Sequence, residues 1–302
     1  MINVCLSADN NYAPYAGVVI ASILANANSN DELSFYVLDG NISDENKEKI
    51  QSLKSIKNCN INFVPVDESK FEDYKNLTTH SYISLATYYR LKLSELLNKD
   101  VEKVIYLDCD MVVNSSLSEL FNTDLGNNYM AGVIDIRVKY KPKWKNKIYV
   151  NAGMLLMDLD KIRKDNIENK FLNYTKEHFD EIKAGDQDII NFTLDGKIKI
   201  VDDLWNVQVS SFLSRSNFTK HPKIIHFVAK KKPWIFGSSG YFKEKYFKYS
   251  QLTPWAYPNN EKFKWTVLNE ICSILNFVKE KPLFMLRPKF WEDVFESLKI
   301  EQ

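Results

Sequence analysis

Residues 104–113 read VIYLDCDMVV, an apolar run that is interrupted by Asp108-Cys109-Asp110 and then resumes. Such a run is typical of a buried strand, and open α/β sheets bind ligands beyond the carboxyl ends of their strands. In extended backbone, residues two positions apart point to the same side, so we expect the two carboxylates to converge. Because close carboxylates repel without a proton or cation between them, the run predicts a site for a hard divalent metal. The alternative is a solvated turn after the strand.

Short apolar runs alternate with helical patterns on both sides of this stretch. The predicted strands are Ile2–Leu6, Ser34–Leu38, Asn60–Val66, Val104–Leu107, Met130–Ile134 and Gly153–Leu159, and the predicted helices are Ala16–Ala27, Asp44–Ile56, Ala86–Leu97 and Ile189–Leu194. This alternation predicts an α/β domain with a mainly parallel sheet. After about residue 250, prolines separate short segments rich in Phe, Trp and Lys. We therefore expect one domain over 1–250 and a helical tail over 251–302.

The composition excludes several classes of protein. The chain has 302 residues, with 40 Lys and Arg against 39 Asp and Glu, so its net charge is +1. A protein that binds nucleic acid through bulk charge is usually strongly basic, so the near-neutral charge argues against that class.

The four cysteines form no CxxC pair, which argues against a disulfide framework or structural zinc and favours reduced thiols in a cytosolic protein. The sequence has neither a secretory signal pattern nor an apolar run of about 18 residues, the length of a membrane span.

A second informative stretch is PKIIHFVAKKKPW at 222–234. His226 ends an apolar run, and a neutral imidazole can complete a metal shell begun by two carboxylates. The lysines at 230–232 offer cations to a phosphate. The alternatives are a packed histidine and a solvated basic face. Residues 215–250 contain nine basic residues and one acidic residue, so a local charge of +8 lies hidden in the neutral total.

The first predicted strand leads into a loop of small and polar residues. Ser7 and Ala8 would allow a ligand close to the backbone, Asp9 could accept from a base or ribose, and Tyr12 could stack on a ring. The alternative is an ordinary turn.

Three more stretches carry groups suited to binding. Arg90 could make planar contacts to phosphate or carboxylate, or instead a surface salt bridge to Glu95. Asn151 can donate and accept, and Gly153 permits close backbone approach. The acids in GDQD at 185–188 could simply cap a helix.

Six of these stretches, in this order, resemble motifs of glycosyltransferase family 8. That retaining family contains bacterial lipopolysaccharide α-galactosyl- and α-glucosyltransferases and, more distantly, glycogenin. The stretches are ADNNY at 8–12, TYYRL at 87–91, YLDCD at 106–110, NAGMLL at 151–156, GDQDIIN at 185–191 and HFVAKKKPW at 226–234. The resemblance implies a GT-A fold, which is Rossmann-like, a UDP-sugar donor and a divalent cation, Mn²⁺ with Mg²⁺ as the alternative.

The resemblance also implies roles for individual residues. Asp108, Asp110 and His226 resemble the metal ligands, and Lys232 resembles the lysine that holds the diphosphate. Gln187 matches the position beneath the anomeric carbon, with Asp186 and Asn151 beside it. The remaining donor contacts implied are Ser7, Ala8, Asp9, Asn11, Tyr12, Arg90, Cys109, Ala152 and Gly153. Ala229 departs from the family, which usually has glycine there.

The implied activity is transfer of a hexose, galactose being favoured over glucose, to a saccharide or lipid-linked acceptor in lipopolysaccharide or cell-surface glycan synthesis. The implied location is cytoplasmic and peripheral to the inner face of the cell membrane. The aromatic and basic tail would either lie in the bilayer interface or pack on the main domain. Since an amide oxygen is a weak nucleophile, we expect front-face attack rather than a covalent intermediate on Gln187.

Two rival functions fit a nucleotide-binding α/β domain. A sugar-nucleotide nucleotidyltransferase would need a glycine-rich phosphate loop near the first strand, and SADNNYAPY at 7–15 has none. A non-catalytic sugar-nucleotide or glycan binder on the same fold remains the alternative, because a fold does not by itself define an activity.

Overall fold

The computed structural model describes residues 1–75, 77, 85–139, 148–209, 221–228, 232–235 and 242–256, with the single residues 275, 279 and 286. Ala229 and nearly all of the predicted tail lie outside these ranges. In the described parts, no helix combines the length and the apolar character that crossing a membrane requires.

Strands and helices alternate through the chain, as the pattern predicts. The strands are β1 Ile2–Asp9, β2 Leu33–Gly40, β3 Asn60–Pro65, β4 Lys103–Leu107, β5 Met111–Val113, β6 Met130–Ile134, β7 Val150–Asp158, β8 Ile198–Ile200, β9 Val207–Gln208 and β10 Ile224–His226. The helices are α1 Ala13–Asn26, α2 Asp44–Ser52, α3 Glu72–Lys75, α4 Leu93–Leu96, α5 Ser118–Phe121, α6 Ile136–Lys139, α7 Leu159–Lys164, α8 Ile167–Glu177, α9 Asp186–Thr193 and α10 Lys243–Ser250.

Seven strands form the main sheet in the order β3-β2-β1-β4-β7-β6-β8. The pairs from β3 to β4 are parallel, β7 is antiparallel to both of its neighbours, and β8 is parallel to β6. Apolar side chains pack on both faces, which explains why β4 reads as a continuous apolar run. This mixed, mainly parallel sheet confirms the predicted α/β class.

A smaller sheet brings distant parts of the sequence together. It has the order β5-β10-β9, and His226 of β10 lies opposite Met111 of β5 in an antiparallel register. Phe227 N donates to the carbonyl of Asp110 at 2.9 Å and extends this pairing. The small sheet therefore holds His226 beside the acidic turn.

Two local predictions are wrong in detail. The predicted helix Ala86–Leu97 is a 3₁₀ helix over Leu85–Lys92 followed by the one-turn α4. The three aromatic or β-branched residues Thr87, Tyr88 and Tyr89 have weak α-helical preference, and the two tyrosines are held in the core. The second error concerns Asp108 to Asp110, which form a turn between β4 and β5 rather than extended backbone.

Candidate active site

A cleft of about 550 Å³ lies at the carboxyl ends of β1, β4 and β6. Fifteen of the residues implied by the resemblance line it: Ser7, Ala8, Asp9, Tyr12, Arg90, Asp108, Cys109, Asp110, Asn151, Ala152, Gly153, Asp186, Gln187, His226 and Lys232. Asn11 is exposed and is not part of the lining. Asp9 also closes the turn before α1, because its carboxylate accepts from Tyr12 N at 2.8 Å.

Three possible metal ligands converge at one end of this cleft. One ligand atom from each of Asp108, Asp110 and His226 lies within 4.8 Å of the other two. His226 Nε2 is 3.1 Å from Asp110 Oδ1 and 3.8 Å from Asp108 Oδ2. The carboxylates converge as predicted, although a turn rather than extended backbone brings them together.

The chemistry of this group fits a divalent cation. Two carboxylates and one imidazole are suitable ligands for Mn²⁺. Asp110 Oδ1 is buried and accepts no hydrogen bond from the described residues. A buried oxygen without a hydrogen bond is costly, so a bound cation would satisfy an oxygen that the described residues contact, at His226 Nε2, without hydrogen-bonding.

Lys232 reaches the same end of the cleft. Its ammonium contacts the Asp110 carboxylate and donates to the carbonyl of Phe227 at 2.8 Å. Burial raises the pKa of Asp110, but the charge of Lys232 and the contacts with Lys232 and His226 outweigh it and hold that pKa below its ordinary value. Asp110 is therefore ionised, as a metal ligand must be.

Arg90 joins two acids from different elements. It is buried, and its guanidinium lies 2.7 Å from Asp108 Oδ1 and 3.1 Å from Asp186 Oδ2. It also donates to the carbonyl of Ala152 at 2.5 Å. The alternative of a surface salt bridge to Glu95 is wrong, because Glu95 pairs with lysines outside the cleft. Arg90 therefore holds Asp108, Asp186 and the backbone of Ala152 together, and these residues form one wall of the cleft.

Asp186 begins helix α9 and faces the same wall. Gly185 is the N-cap and has no side chain, and both acids of GDQD lie in the first turn of α9. The capping that the sequence allowed is made by Asp188, whose Oδ2 accepts from Lys183 N and Ala184 N at 2.7 Å. Burial raises the pKa of Asp186 to about 6, with the Arg90 charge opposing and the Asp108 charge adding to the shift. Its Oδ2 is buried and accepts no hydrogen bond of good geometry from the described residues.

Gln187 is fixed by a buried polar network. Its Oε1 accepts from Ala152 N at 3.2 Å and from Asn151 Nδ2 at 3.3 Å. Its Nε2 donates to Asp135 Oδ2 at 2.9 Å. Burial raises the pKa of Asp135, but hydrogen bonds and charge from Arg137 hold it below its ordinary value.

Gly153 leaves the space in which the metal ligands meet. A Cβ at this position would lie 2.7 Å from Asp108 Oδ2 and 2.9 Å from His226 Nδ1. The close backbone approach predicted at Gly153 is therefore an approach to the side chains of Asp108 and His226.

Several cleft residues were missed from the sequence, among them Asp135, Arg137, Lys183 and Gln208. Asp135 directly follows the predicted strand Met130–Ile134, so the rule that ligands bind at carboxyl ends could have identified it. Gln208 belongs to the two-residue strand β9, which leaves no pattern in the sequence.

Comparisons with known proteins agree with the fold and identify the family. The sequence profile described as Glycosyl transferase family 8 matches residues 3–236. A putative glycosyltransferase of Haemophilus influenzae is 38% identical over 245 residues, 77% of this chain and 73% of the relative. The lipopolysaccharide 1,2-glucosyltransferase of Escherichia coli is 26% identical over 98% of this chain and 89% of the relative.

A solved structure gives the same result. The galactosyltransferase LgtC in complex with donor and acceptor sugar analogs superimposes with a TM-score of 0.75 and 28% identity, over 87% of this chain and 100% of that one. This likeness confirms the GT-A fold. With the family profile covering most of its length, the chain belongs to glycosyltransferase family 8.

Proposed function

We propose that this chain is a retaining, metal-dependent transferase that moves a hexose from a UDP-sugar to a saccharide acceptor in the synthesis of lipopolysaccharide or another cell-surface glycan. The observation that carries the proposal is the meeting of Asp108, Asp110, His226 and Lys232 at one end of the cleft. Two carboxylates and an imidazole suit a cation, and an ammonium beside them suits a diphosphate.

The rest of the cleft divides by its chemistry. We assign Ser7, Ala8, Asp9 and Tyr12 to the uridine end, since these small and polar residues lie beside an aromatic ring at the end of β1. Asn11 is assigned there by resemblance alone. Ala229 is assigned beside the diphosphate by resemblance alone. Cys109 is assigned there as a neutral thiol, because burial raises its pKa well above the ordinary value.

The sugar end is assigned to the wall built around Arg90. Arg90, Asp186, Asn151, Ala152 and Gly153 line it and present a guanidinium, a carboxylate and amide groups to hydroxyl groups. Galactose is the proposed sugar because the structure of LgtC is so similar, and glucose is the alternative because a lipopolysaccharide glucosyltransferase is also a relative.

Asp108, Asp110 and His226 would hold Mn²⁺, with Mg²⁺ as the alternative. A divalent cation there supplies charge that neutralises the departing diphosphate. Lys232 adds a fixed cation on the same side, and the buried setting strengthens both effects because little water screens them. The acceptor hydroxyl then attacks the anomeric carbon from the face that UDP leaves, and a UDP oxygen takes its proton.

Gln187 supports this front-face route. Its carbonyl oxygen already accepts two hydrogen bonds, from Ala152 N and Asn151 Nδ2, which lowers the electron density available for attack. We assign Gln187 to positioning of the reacting sugar. Rapid quenching followed by mass spectrometry should find no glycosyl adduct on Gln187 or Asp186, and a trapped adduct on either would overturn the front-face route.

The division into a catalytic domain over 1–250 and a tail over 251–302 is part of the proposal. The start of the tail packs on the domain, since Trp255 fills the space above Gly17 of α1. We propose that the aromatic and basic remainder contacts the membrane that carries a lipid-linked acceptor. The full chain should bind anionic vesicles, and a chain ending at residue 256 should not. Equal binding of the two chains to the vesicles would exclude this role.

A screen of UDP-sugars with Mn²⁺ tests the activity, with UDP production followed in the presence and absence of saccharide acceptors. We expect the fastest turnover with UDP-galactose or UDP-glucose. Nucleotide binding without turnover of any donor would instead favour a non-catalytic sugar-nucleotide or glycan binder.

A further inference from the structure

Asn206 links the candidate metal site to the polar network around Gln187. It ends a 3₁₀ helix, Asp203–Asn206, directly before β9, and it is only 2% exposed. Its side chain makes two hydrogen bonds, with Nδ2 3.0 Å from Asn151 Oδ1 and Oδ1 3.1 Å from His226 Nδ1. It does not line the cleft. Any effect it has on the reaction is therefore exerted through its neighbours.

The orientation of Asn151 can be derived from the backbone. Gly153 N lies 3.0 Å from the Asn151 side chain, and a backbone N–H can only donate. The Asn151 atom that faces Gly153 must therefore be its carbonyl oxygen. Its amide nitrogen then faces Gln187 Oε1, which is an acceptor because Ala152 N donates to it. Two backbone N–H groups thus require the same orientation of Asn151.

The orientation of Asn206 follows from that of Asn151. Asn206 contacts the same oxygen of Asn151 that accepts from Gly153, so it must present its amide N–H₂ group there. Its carbonyl oxygen is then the atom that faces His226. If both amides were reversed, the carbonyl oxygen of Asn151 would face Gln187 Oε1, which is also an acceptor. In a buried site this costs about 1–3 kcal/mol for each unsatisfied group.

The orientation of Asn206 determines which nitrogen of the His226 ring carries a proton. An oxygen that can only accept faces Nδ1, so Nδ1 must carry a proton. In the neutral ring this leaves the lone pair on Nε2, which is the nitrogen directed at Asp110 and Asp108. Metal-binding histidines commonly donate their second N–H in this way, and the partner fixes the tautomer and the ring orientation.

We infer that Asn206 is a positioning residue that holds the proton of His226 on Nδ1 and so directs the Nε2 lone pair toward the metal. This inference rests on the proposed function for the identity of the metal site. Asn206 acts from outside the cleft, in a chain that begins at the N–H of Gly153 and passes through Asn151.

Nitrogen NMR on the full chain with ¹⁵N-labelled histidine tests the proton position directly. The sequence has four histidines, and the His226→Gln spectrum identifies the signals of His226. We expect a protonated Nδ1 in the metal-free protein and, with diamagnetic Zn²⁺ as the probe, a metal-bound Nε2. A Nδ1 without a proton in the wild-type chain, or Zn²⁺ bound through Nδ1, would overturn the inference.

Variants of Asn206 test whether it is the cause. Asn206→Leu keeps the approximate shape without an acceptor, so we expect Mn²⁺ binding, measured by calorimetry, to weaken about 10–100-fold. Asn206→Asp keeps an acceptor opposite Nδ1 and should retain the Nδ1 proton. Asn3→Leu is the matched control, because Asn3 is a partly buried residue at the amino end of β1 that donates to Lys103 O at 3.0 Å. It should bind Mn²⁺ as the wild type does.

The outcomes separate this inference from the proposed function. If the wild type binds Mn²⁺ and Asn206→Leu binds it with the same affinity, the positioning role is overturned and the metal site stands. If the wild type binds no divalent metal, the proposed metal dependence fails, while the Nδ1 proton of the metal-free protein still decides the tautomer. If Asn206→Leu does not fold, loss of the Nδ1 proton in Asn206→Asp would overturn the inference.

Discussion

Gly153 lies against His226 so closely that a Cβ on the glycine would come within 2.9 Å of the ring nitrogen Nδ1. The same glycine donates its N–H to Asn151, and its carbonyl accepts from Asp108 N at 2.8 Å. One residue of β7 therefore contacts a neighbour on its own strand and residues on two other segments. The candidate metal site depends on a missing side chain as much as on its ligands.

Replacing Gly153 with alanine should disrupt this site. The new methyl group would displace His226 and Asp108, and we expect Mn²⁺ affinity to fall about 10–100-fold, as it does when ligand positions are disturbed. Calorimetry measures the affinity. Gly132→Ala on β6 is the control: its Cβ would contact Val150 and Leu155 at 3.2–3.4 Å, away from the ligands, so stability should fall and metal binding should persist. Normal Mn²⁺ binding by Gly153→Ala would contradict the assigned geometry.

Removing the Arg90 side chain should destabilise the fold. Arg90→Ala leaves the buried ends of Asp108 and Asp186 without their shared cation, and breaking a buried ion pair costs about 3–5 kcal/mol. Urea unfolding measures the loss. Arg90→Lys keeps the charge, but one ammonium cannot reproduce the three contacts, so it should recover stability only in part. A free energy of unfolding within about 0.5 kcal/mol of wild type for Arg90→Ala, the range of ordinary surface substitutions, would refute the role.

Asp186 should make stability depend on pH. Its pKa rises from 3.8 to about 6 on folding, so the folded chain holds this proton more tightly than the unfolded chain does. The stabilisation from this proton is complete below about pH 4 and is lost as pH rises through about 6. The free energy of unfolding should fall by roughly 3 kcal/mol over this range. Urea unfolding between pH 4 and 8 should show this fall in the wild type and not in Asp186→Asn. Asp160→Asn, at an exposed site, serves as the control. Equal slopes for wild type and Asp186→Asn would show that another group is responsible.

Lys232→Ala should weaken nucleotide binding. A charge-assisted hydrogen bond contributes about 1.5–3 kcal/mol, so the Kd for UDP in the presence of Mn²⁺ should rise about 10–150-fold. Lys223 is the matched control, since it pairs with Glu119 on the protein surface and does not line the cleft. Lys223→Ala should bind UDP as the wild type does. An unchanged Kd for Lys232→Ala would remove this lysine from the diphosphate site.

The sheet could be predicted largely because buried strands leave continuous apolar runs. All six predicted strands are present, and the predicted helix at Asp44 does begin there, where the Ser43 side chain accepts from Asn46 N at 3.3 Å. The 3₁₀ helix at Leu85–Lys92 could not be separated from an α-helix, since both place residues three or four apart on one face. The short strands β8 and β9 have too few residues to show a period.

The candidate site was predictable where its residues follow strands or match ordered motifs. Asp108 and Asp110 stand out because acids interrupt an apolar run. Asn206 does not, because its importance lies in contacts to Asn151 and His226, and Asn151 is far away in the sequence. Only the pairing of β5, β9 and β10 brings Asn206 to His226, and that pairing has no signature in the sequence.

Metal-dependent transfer is tested most directly by UDP release from UDP-galactose, measured with Mn²⁺ and with excess EDTA. We expect turnover with Mn²⁺, loss of turnover with EDTA, and loss in Asp110→Asn even at saturating Mn²⁺, while Asp160→Asn behaves as the wild type. Turnover that is equal with Mn²⁺ and EDTA and is retained by Asp110→Asn would contradict a metal site at Asp108, Asp110 and His226.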